Sequence, residues 1–240
     1  MSASLSFVDD RPSGVALVLE CSTANGSVAL LRDDAVIGRS SVAMGAATDD
    51  ALFPAVATLL AEAGIAAADV TRIICGAGPG SFTSLRIAAS VAKGLAHATG
   101  AALLAVPSML LAAATVNVPG RYLVHADALR GERYVLPAII DEAGLVVGDG
   151  DVRRVGGAEL VGVLGDRVPL CVTGGPPHDV GRPVVPDAGG LVRVRGWWRV
   201  PAEDLAAWEP SYGRLAEAQV KWEDSHQRPL PPSAPSAAAT

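Results

Sequence analysis

The sequence contains 240 residues, of which half are hydrophobic and 18% are charged. A chain of this length and composition suits one large domain or two small ones and has ample apolar surface for a core. The formal net charge of −6 argues against a protein that holds RNA or DNA by itself, because non-specific nucleic-acid affinity comes mainly from lysine and arginine at phosphates.

Three short strands are predicted near the start of the chain. They follow a leader at 1–13 that we expect to be disordered and that lacks the features of a signal peptide. The continuous apolar run VALVLE (15–20) is typical of a buried strand. An Asn-Gly turn signal separates it from SVALL (27–31), and AVIGRSSVA (35–43) alternates as a third strand. The chain therefore opens with an antiparallel meander.

Two helices with few charged residues are predicted next, on either side of a strand at 71–75. The first helix, over 51–63, has N-cap oxygens at Thr48–Asp50 and is apolar all round, so it must be covered on more than one side. The second helix, over 85–99, has one face of alanines. Small residues permit close approach of a neighbour, which could be the sheet, the first helix or a helix of a partner.

The pattern of the opening segment returns later in the chain. A strand is predicted at 101–106 and a short helix, capped by Ser108, at 108–114. Both lie in the stretch 98–120, which carries no charged residue but which we do not interpret as a membrane span. Three further strands are predicted at 122–128, 133–141 and 145–155. Two meanders, each followed by helix and strand, predict a duplicated βββαβα unit.

A glycine-rich loop, GAGPGSFTS (76–84), precedes the second helix. A phosphate cradle needs backbone N–H groups that converge at a helix N-terminus, and this loop is compatible with that need. It lacks the lysine of a Walker loop, it departs from the GxGxxG dinucleotide pattern, and Pro79 removes one donor. A tight turn with Ser81 or Thr83 capping the helix explains the same residues. The residues favour the turn, and phosphate binding stays open as the alternative.

Cysteine and histidine spacing indicates no metal centre. Cys21, Cys75 and Cys171 are far apart and fit no CxxC pattern, which favours reduced, buried thiols in a cytosolic protein. The four histidines are isolated from one another, so we expect neither a bound metal nor another cofactor.

Four segments resemble one known family, and they occur in the family's order. GPGSFTSLRIAASVAKGLA (78–96) resembles the signature of the bacterial TsaB (YeaZ) proteins. VLECSTANGSVALL (18–31), DALRGERY (127–134) and PSYGR (210–214) are similar to further segments of that family. Ser84 and Glu20 depart from the family pattern, which has glycine and aspartate there, and Thr48-Asp49 stand where the family often has His-Ser.

The resemblance implies an α/β, actin-like ATPase (ASKHA) fold of two RNase H-like βββαβα halves with mixed sheets. The N-terminal half would span 14–106 and carry the pairing helices, and the C-terminal half would span 107–222. A tail at 223–240, rich in proline, serine and alanine, is expected to be disordered.

The resemblance also implies a function. The family supports TsaD, as a non-catalytic scaffold subunit, in transfer of the threonylcarbamoyl group to the adenosine beside the anticodon of tRNA. The implied partners are TsaD, with TsaE joining the complex, a second copy of the chain when it is alone, and tRNA only through the complex. The implied location is the cytoplasm, with no membrane contact.

Two sets of residues follow from the resemblance as expectations. The partner interface on the two helices would comprise Leu52, Phe53, Val56, Leu59, Leu60, Leu85, Arg86, Ala88, Ala89, Ala92 and Lys93. A vestigial nucleotide site would comprise Glu20, Ser22, Thr23, Gly78, Gly80, Ser81 and Asp127. Glu20 and Asp127, at strand ends, could instead only hold turns. An active actin-like phosphotransferase and a glycoprotease-like metal hydrolase remain the alternatives.

Overall fold

The computed structural model describes residues 14–33, 35–45, 51–173, 180–195, 198–199, 205, 207–212, 225 and 227. The predicted leader at 1–13, the helix cap at Thr48–Asp50 and most of the tail at 223–240 lie outside the described residues, as does Trp197.

The first part of the chain forms a six-stranded mixed sheet with two helices. Its elements are β1 (Val15–Glu20), β2 (Asn25–Arg32), β3 (Ala35–Ala43), α1 (Leu52–Glu62), β4 (Val70–Gly76), α2 (Phe82–Thr99) and β5 (Ala102–Val106). The antiparallel meander β1–β3 is confirmed, and β4 and β5 add to it in parallel. Helix α2 begins three residues before the predicted start because Ser81 caps it.

The second part repeats this plan with shorter helices. Its elements are α3 (Ser108–Ala113), β6 (Gly120–Asp127), β7 (Glu132–Ile140), β8 (Val146–Gly148), β9 (Arg153–Gly156), α4 (Leu160–Leu164), β10 (Val168–Val172) and β11 (Arg182–Val184). The prediction of one strand over 145–155 was wrong, since β8 and β9 pair separately with β7. Pro137 lies between the two paired stretches, and a proline cannot donate to a strand ladder.

The two sheets have the same strand order. The first runs β5-β4-β1-β2-β3 and the second β11-β10-β6-β7-β8, so the duplication predicted from the pattern is confirmed. This arrangement agrees with the actin-like fold of two RNase H-like halves that the resemblance implies. A last strand, β12 (Trp198–Arg199), returns to the first sheet and pairs with β5. This strand, which follows the second sheet in the chain, therefore contacts the N-terminal half.

Two large clusters of buried side chains form the core. In one, inward residues of both sheets enclose α3, so that helix is buried along its whole length. In the other, the opposite face of the first sheet packs against α1 and α2. Strand β1 serves both, since Val18 belongs to the first cluster and Leu17 and Leu19 to the second. Among the described residues, no helix is long and apolar enough to cross a membrane.

Candidate functional site

Three backbone donors of the glycine-rich loop form hydrogen bonds within the protein. The Ala77 N–H donates to the Val106 carbonyl at 2.7 Å, and the Gly78 N–H donates to Ser108 Oγ at 3.0 Å. The Ser81 N–H donates to the carbonyl of Ser22 at 2.8 Å. A phosphate cradle requires such N–H groups to converge on the anion, and here they are engaged within the chain. The loop has the geometry of a structural turn.

Close packing explains the three glycines of this loop. A Cβ on Gly76 would overlap the carboxylate of Glu20, and one on Gly80 would overlap the Ser22 carbonyl oxygen. A Cβ on Gly78, which has a positive φ, would overlap the carbonyl oxygen of Ser211. Each glycine thus allows another segment to approach the backbone.

Two serines hold the ends of the loop. Ser81 caps α2, since its Oγ accepts a hydrogen bond from the Ser84 N–H at 3.4 Å and lies 3.0 Å from Ser84 Oγ. The prediction that Ser108 caps α3 was wrong. Ser108 is the first residue of that helix, and its Oγ accepts a hydrogen bond from the loop at Gly78.

Glu20 lies beneath the loop and is 1% exposed. Its Oε1 accepts a hydrogen bond from the Ser22 N–H at 2.7 Å, whereas its Oε2 has no hydrogen-bond partner among the described residues. Burial raises the pKa of the Glu20 carboxyl, because the charged form loses its hydration. Burial also raises the pKa of the neighbouring Cys21 and Cys75 thiols, which makes them unreactive at neutral pH.

The other residues of the expected nucleotide site stabilise turns. Thr23 Oγ1 donates to the Asn25 carbonyl at 3.0 Å and accepts from the Asn25 N–H at 3.2 Å, which closes the β1–β2 turn. Asp127 is exposed, and its Oδ1 accepts from the Leu129 N–H at 2.9 Å at the β6–β7 hairpin. The two strand-end carboxylates thus differ in burial, but each accepts a hydrogen bond from a backbone N–H in the turn that follows its strand. No group of side chains suited to hold a metal ion is found in the described part of the chain.

Most of the residues expected to form the partner interface are buried in the chain's own core. The buried residues of this set are Leu52, Val56, Leu59, Leu60, Leu85, Ala88, Ala89 and Ala92. The alanine face of α2 lies on the first sheet, which was one of its three possible neighbours. The side chains of these eight residues pack inside the molecule, so in the single chain they support the two helices from below.

Three residues of the same set reach the surface. Phe53 is 57% exposed on α1. Arg86 is exposed on α2. Lys93 is half-buried, and its Nζ donates to the Trp208 carbonyl at 3.0 Å. The surface that a partner can reach is therefore the outward side of α1 and α2.

A C-terminal segment, 207–212, lies against the start of α2. The Ser211 N–H donates to the Ala77 carbonyl at 2.8 Å. The Tyr212 ring packs on the Phe82 ring with 4.6 Å between centroids, and the Arg86 Cζ lies 5.4 Å from the centroid of that same Phe82 ring. Spacing in the sequence gives no sign of this contact. The only signal was the family resemblance of both PSYGR and the loop.

Known proteins resemble this chain in sequence and in structure. Residues 47–143 match the family model described as TsaD, tRNA N6-adenosine threonylcarbamoyltransferase. The chain is 28% identical to the tRNA threonylcarbamoyladenosine biosynthesis protein TsaB of Bacillus subtilis over 234 residues, which is 88% of this chain and 99% of that protein. It is 31% identical to the Escherichia coli protein of the same name over 136 residues, which is 55% of this chain and 58% of that protein.

A solved structure agrees with these sequence relatives. YeaZ from Pseudomonas aeruginosa superimposes with a TM-score of 0.64 at 28% identity, over 75% of this chain and 89% of that chain.

Proposed function

This chain belongs to the TsaB (YeaZ) family, and from that membership we propose that it acts in the biosynthesis of threonylcarbamoyladenosine in tRNA, as a non-catalytic subunit that pairs with TsaD. The observation that carries the proposal is the match to the B. subtilis protein of that pathway, which spans 99% of that relative's length. The match to the TsaD model over 47–143 fits a chain that shares its ancestry with the transferase it would support.

The geometry of the loop supports a scaffold role. Its N–H groups at Ala77, Gly78 and Ser81 are engaged within the chain. The Glu20 carboxyl beneath it is shielded from solvent, and its raised pKa disfavours the charged form that a metal–nucleotide complex would need. The hydrogen bonds of Ala77 and Ser81 tie the start of α2 to the first sheet and to the turn after β1. A rigid α2 suits a subunit that works through a docked partner.

The pairing surface in this proposal is the outward side of α1 and α2. Phe53 supplies an exposed apolar side chain for the contact. The buried residues of α1 and α2 pack in one cluster with the first sheet and hold the two helices in place. Pairing would favour the TsaD conformation that is competent for threonylcarbamoyl transfer, which is a population shift driven by differential binding. TsaE and tRNA would join the complex through this pair, and a homodimer would use the same side of the chain.

A pairing experiment with two matched variants tests the proposal. The purified chain is mixed with the TsaD-type protein of the same genome, complex formation is followed by light scattering, and threonylcarbamoyladenosine is measured in tRNA. We expect a stable complex and modification that depends on both chains. Phe53→Glu should weaken the complex, whereas Val161→Glu, at a site 69% exposed on α4, should not.

Ala88→Glu would be a poor test of the same surface. Ala88 is fully buried against the first sheet, so this variant should lose its fold and pairing together. The pairing proposal is wrong if folded wild-type chains show no complex at tens of micromolar. The surface assignment alone is wrong if Phe53→Glu pairs as well as Val161→Glu.

A further inference from the structure

Arg86 is an exposed cation that lies over an aromatic ring. Its guanidinium carbon lies 5.4 Å from the Phe82 ring centroid, within the range of cation–π attraction. Among the described residues, no carboxylate forms a salt bridge with it. The ring orients the guanidinium, and its N–H donors are available to an anion that approaches from solvent.

Tyr212 holds the ring on which Arg86 rests. Its own ring lies 4.6 Å from Phe82 at an interplanar angle of 49°, a geometry that aromatic pairs favour. Burial, together with the nearby Glu209, raises the pKa of Tyr212 to about 12, so the phenol stays neutral. The Ser211 N–H anchors the segment to the loop. Tyr212, Phe82 and Arg86 therefore form one stack that limits where the guanidinium can lie.

The surface around Arg86 suits a protein rather than a nucleic acid. The exposed positions of α2 on either side of it, Thr83, Ser90 and Gly94, are uncharged and small, and Glu209, beside Tyr212, is the acidic residue of the adjoining segment. The other nearby cation, Lys93, already donates to the Trp208 carbonyl. Binding to a phosphate backbone uses several cations together, whereas a single oriented arginine among small uncharged residues of α2 matches one carboxylate of a close-packed partner.

We infer that Arg86 binds a carboxylate of the paired chain, and that Tyr212 positions it through Phe82. This inference rests on the proposed pairing with a TsaD-type partner. The guanidinium fork would form a two-point contact with the carboxylate, which sets the orientation of the partner on α2. Tyr212 acts only through the stack, so it is a positioning residue. The C-terminal segment would thus contribute to pairing even though it lies outside the two helices.

Dissociation constants of the chain with the TsaD-type partner, measured at two salt concentrations, test the inference. Arg86→Gln should weaken pairing by about tenfold to a hundredfold and reduce its salt dependence. Arg86→Lys keeps the positive charge but loses the two-point guanidinium contact, so its dissociation constant should lie between those of the wild type and Arg86→Gln. Arg182→Gln removes one exposed positive charge from β11 and should leave the constant unchanged. Thermal unfolding of each variant checks that it is folded.

Tyr212 variants test the positioning role separately. Tyr212→Leu should weaken pairing several-fold, whereas Tyr212→Phe, which keeps the ring, should pair as the wild type does. In a chain that already carries Arg86→Gln, adding Tyr212→Leu should change the dissociation constant little. That last result is one that a general loss of stability would not produce.

Each failure has a distinct meaning. Absence of wild-type pairing overturns the proposed function itself. Wild-type pairing that Arg86→Gln does not weaken overturns the role of Arg86. A loss with Arg86→Gln but none with Tyr212→Leu overturns the positioning role. If Arg86→Gln leaves protein pairing intact and weakens only retention of tRNA, the bound anion is a phosphate and the inference is wrong.

Discussion

The ring of Tyr212 packs on the ring of Phe82, with 4.6 Å between their centroids. Phe82 is the first residue of α2, and Tyr212 belongs to a segment that follows the whole second sheet. The contact therefore joins the glycine-rich loop to the C-terminal segment 207–212. It explains why two family-like segments that are remote in sequence form one structural unit beside α2.

Tyr212→Ala should lower the free energy of unfolding by about 1–2 kcal/mol, because it removes a half-buried ring and an aromatic pair. Tyr212→Phe keeps the ring contact and should stay within about 0.5 kcal/mol of the wild type. Urea denaturation of the three proteins measures the difference. Equal midpoints for Tyr212→Ala and the wild type would show that the segment does not stabilise the fold.

The sequence predicted the elements better than the roles of their faces. Alternation and apolar runs located β1–β5 because a buried sheet imposes those patterns. Helical periodicity placed Leu52, Val56 and Ala88 on common faces, but it does not say whether a face meets a sheet or a partner. The alanines of α2 pack on the sheet since small side chains allow the helix to come close to it.

The candidate site was predictable only in part, and the reason is the range of its contacts. The cap at Ser81 is local, because its Oγ accepts from the N–H of Ser84, three residues further along the chain. Sequence rules for helix caps find such pairs. The hydrogen bond from Gly78 to Ser108 and the contact of Tyr212 with Phe82 connect distant segments. No spacing rule encodes them, because they depend on how the two halves pack.

Gly80→Ala should destabilise the chain by about 2 kcal/mol or more. Its Cβ would overlap the Ser22 carbonyl oxygen and lie 2.7 Å from Ser22 Cβ, so backbone must move to accommodate it. Gly94→Ala is the matched control on the exposed side of α2, where nothing lies within 4 Å of an added Cβ. There alanine should stabilise the helix by about 0.5–1 kcal/mol. Thermal unfolding would contradict this account if both variants shifted the midpoint in the same direction.

Glu20→Gln should raise stability at neutral pH. Burial raises the pKa of Glu20 in the folded chain, with a smaller upward contribution from Asp187, so the folded state holds this proton more tightly than the unfolded state. The free energy of unfolding then falls as pH rises through the window between the unfolded and folded pKa values. Glutamine cannot ionise, and its side-chain oxygen can still accept from the Ser22 N–H.

Unfolding midpoints between pH 4 and pH 8 measure the effect. The gap between Glu20→Gln and the wild type should widen as pH rises. Glu142→Gln, which makes the same change on an exposed loop residue, should follow the wild-type profile. A Glu20→Gln variant whose loss of stability relative to the wild type grows as pH rises would show that the carboxylate is needed in its charged form.

Magnesium and ATP together should leave the thermal midpoint of the isolated chain unchanged. The loop amides of Ala77, Gly78 and Ser81 are engaged within the chain, and the open side of Gly78 faces the Ser211 carbonyl. A ligand present at 100 times its Kd would stabilise the folded state by about 2.7 kcal/mol, which in a chain of this size is a shift of about 5–10 °C. Magnesium alone is the control. A magnesium-dependent shift by ATP that Glu20→Gln abolishes would instead support an active phosphotransferase, because it would mean that the loop and Glu20 rearrange to hold a nucleotide.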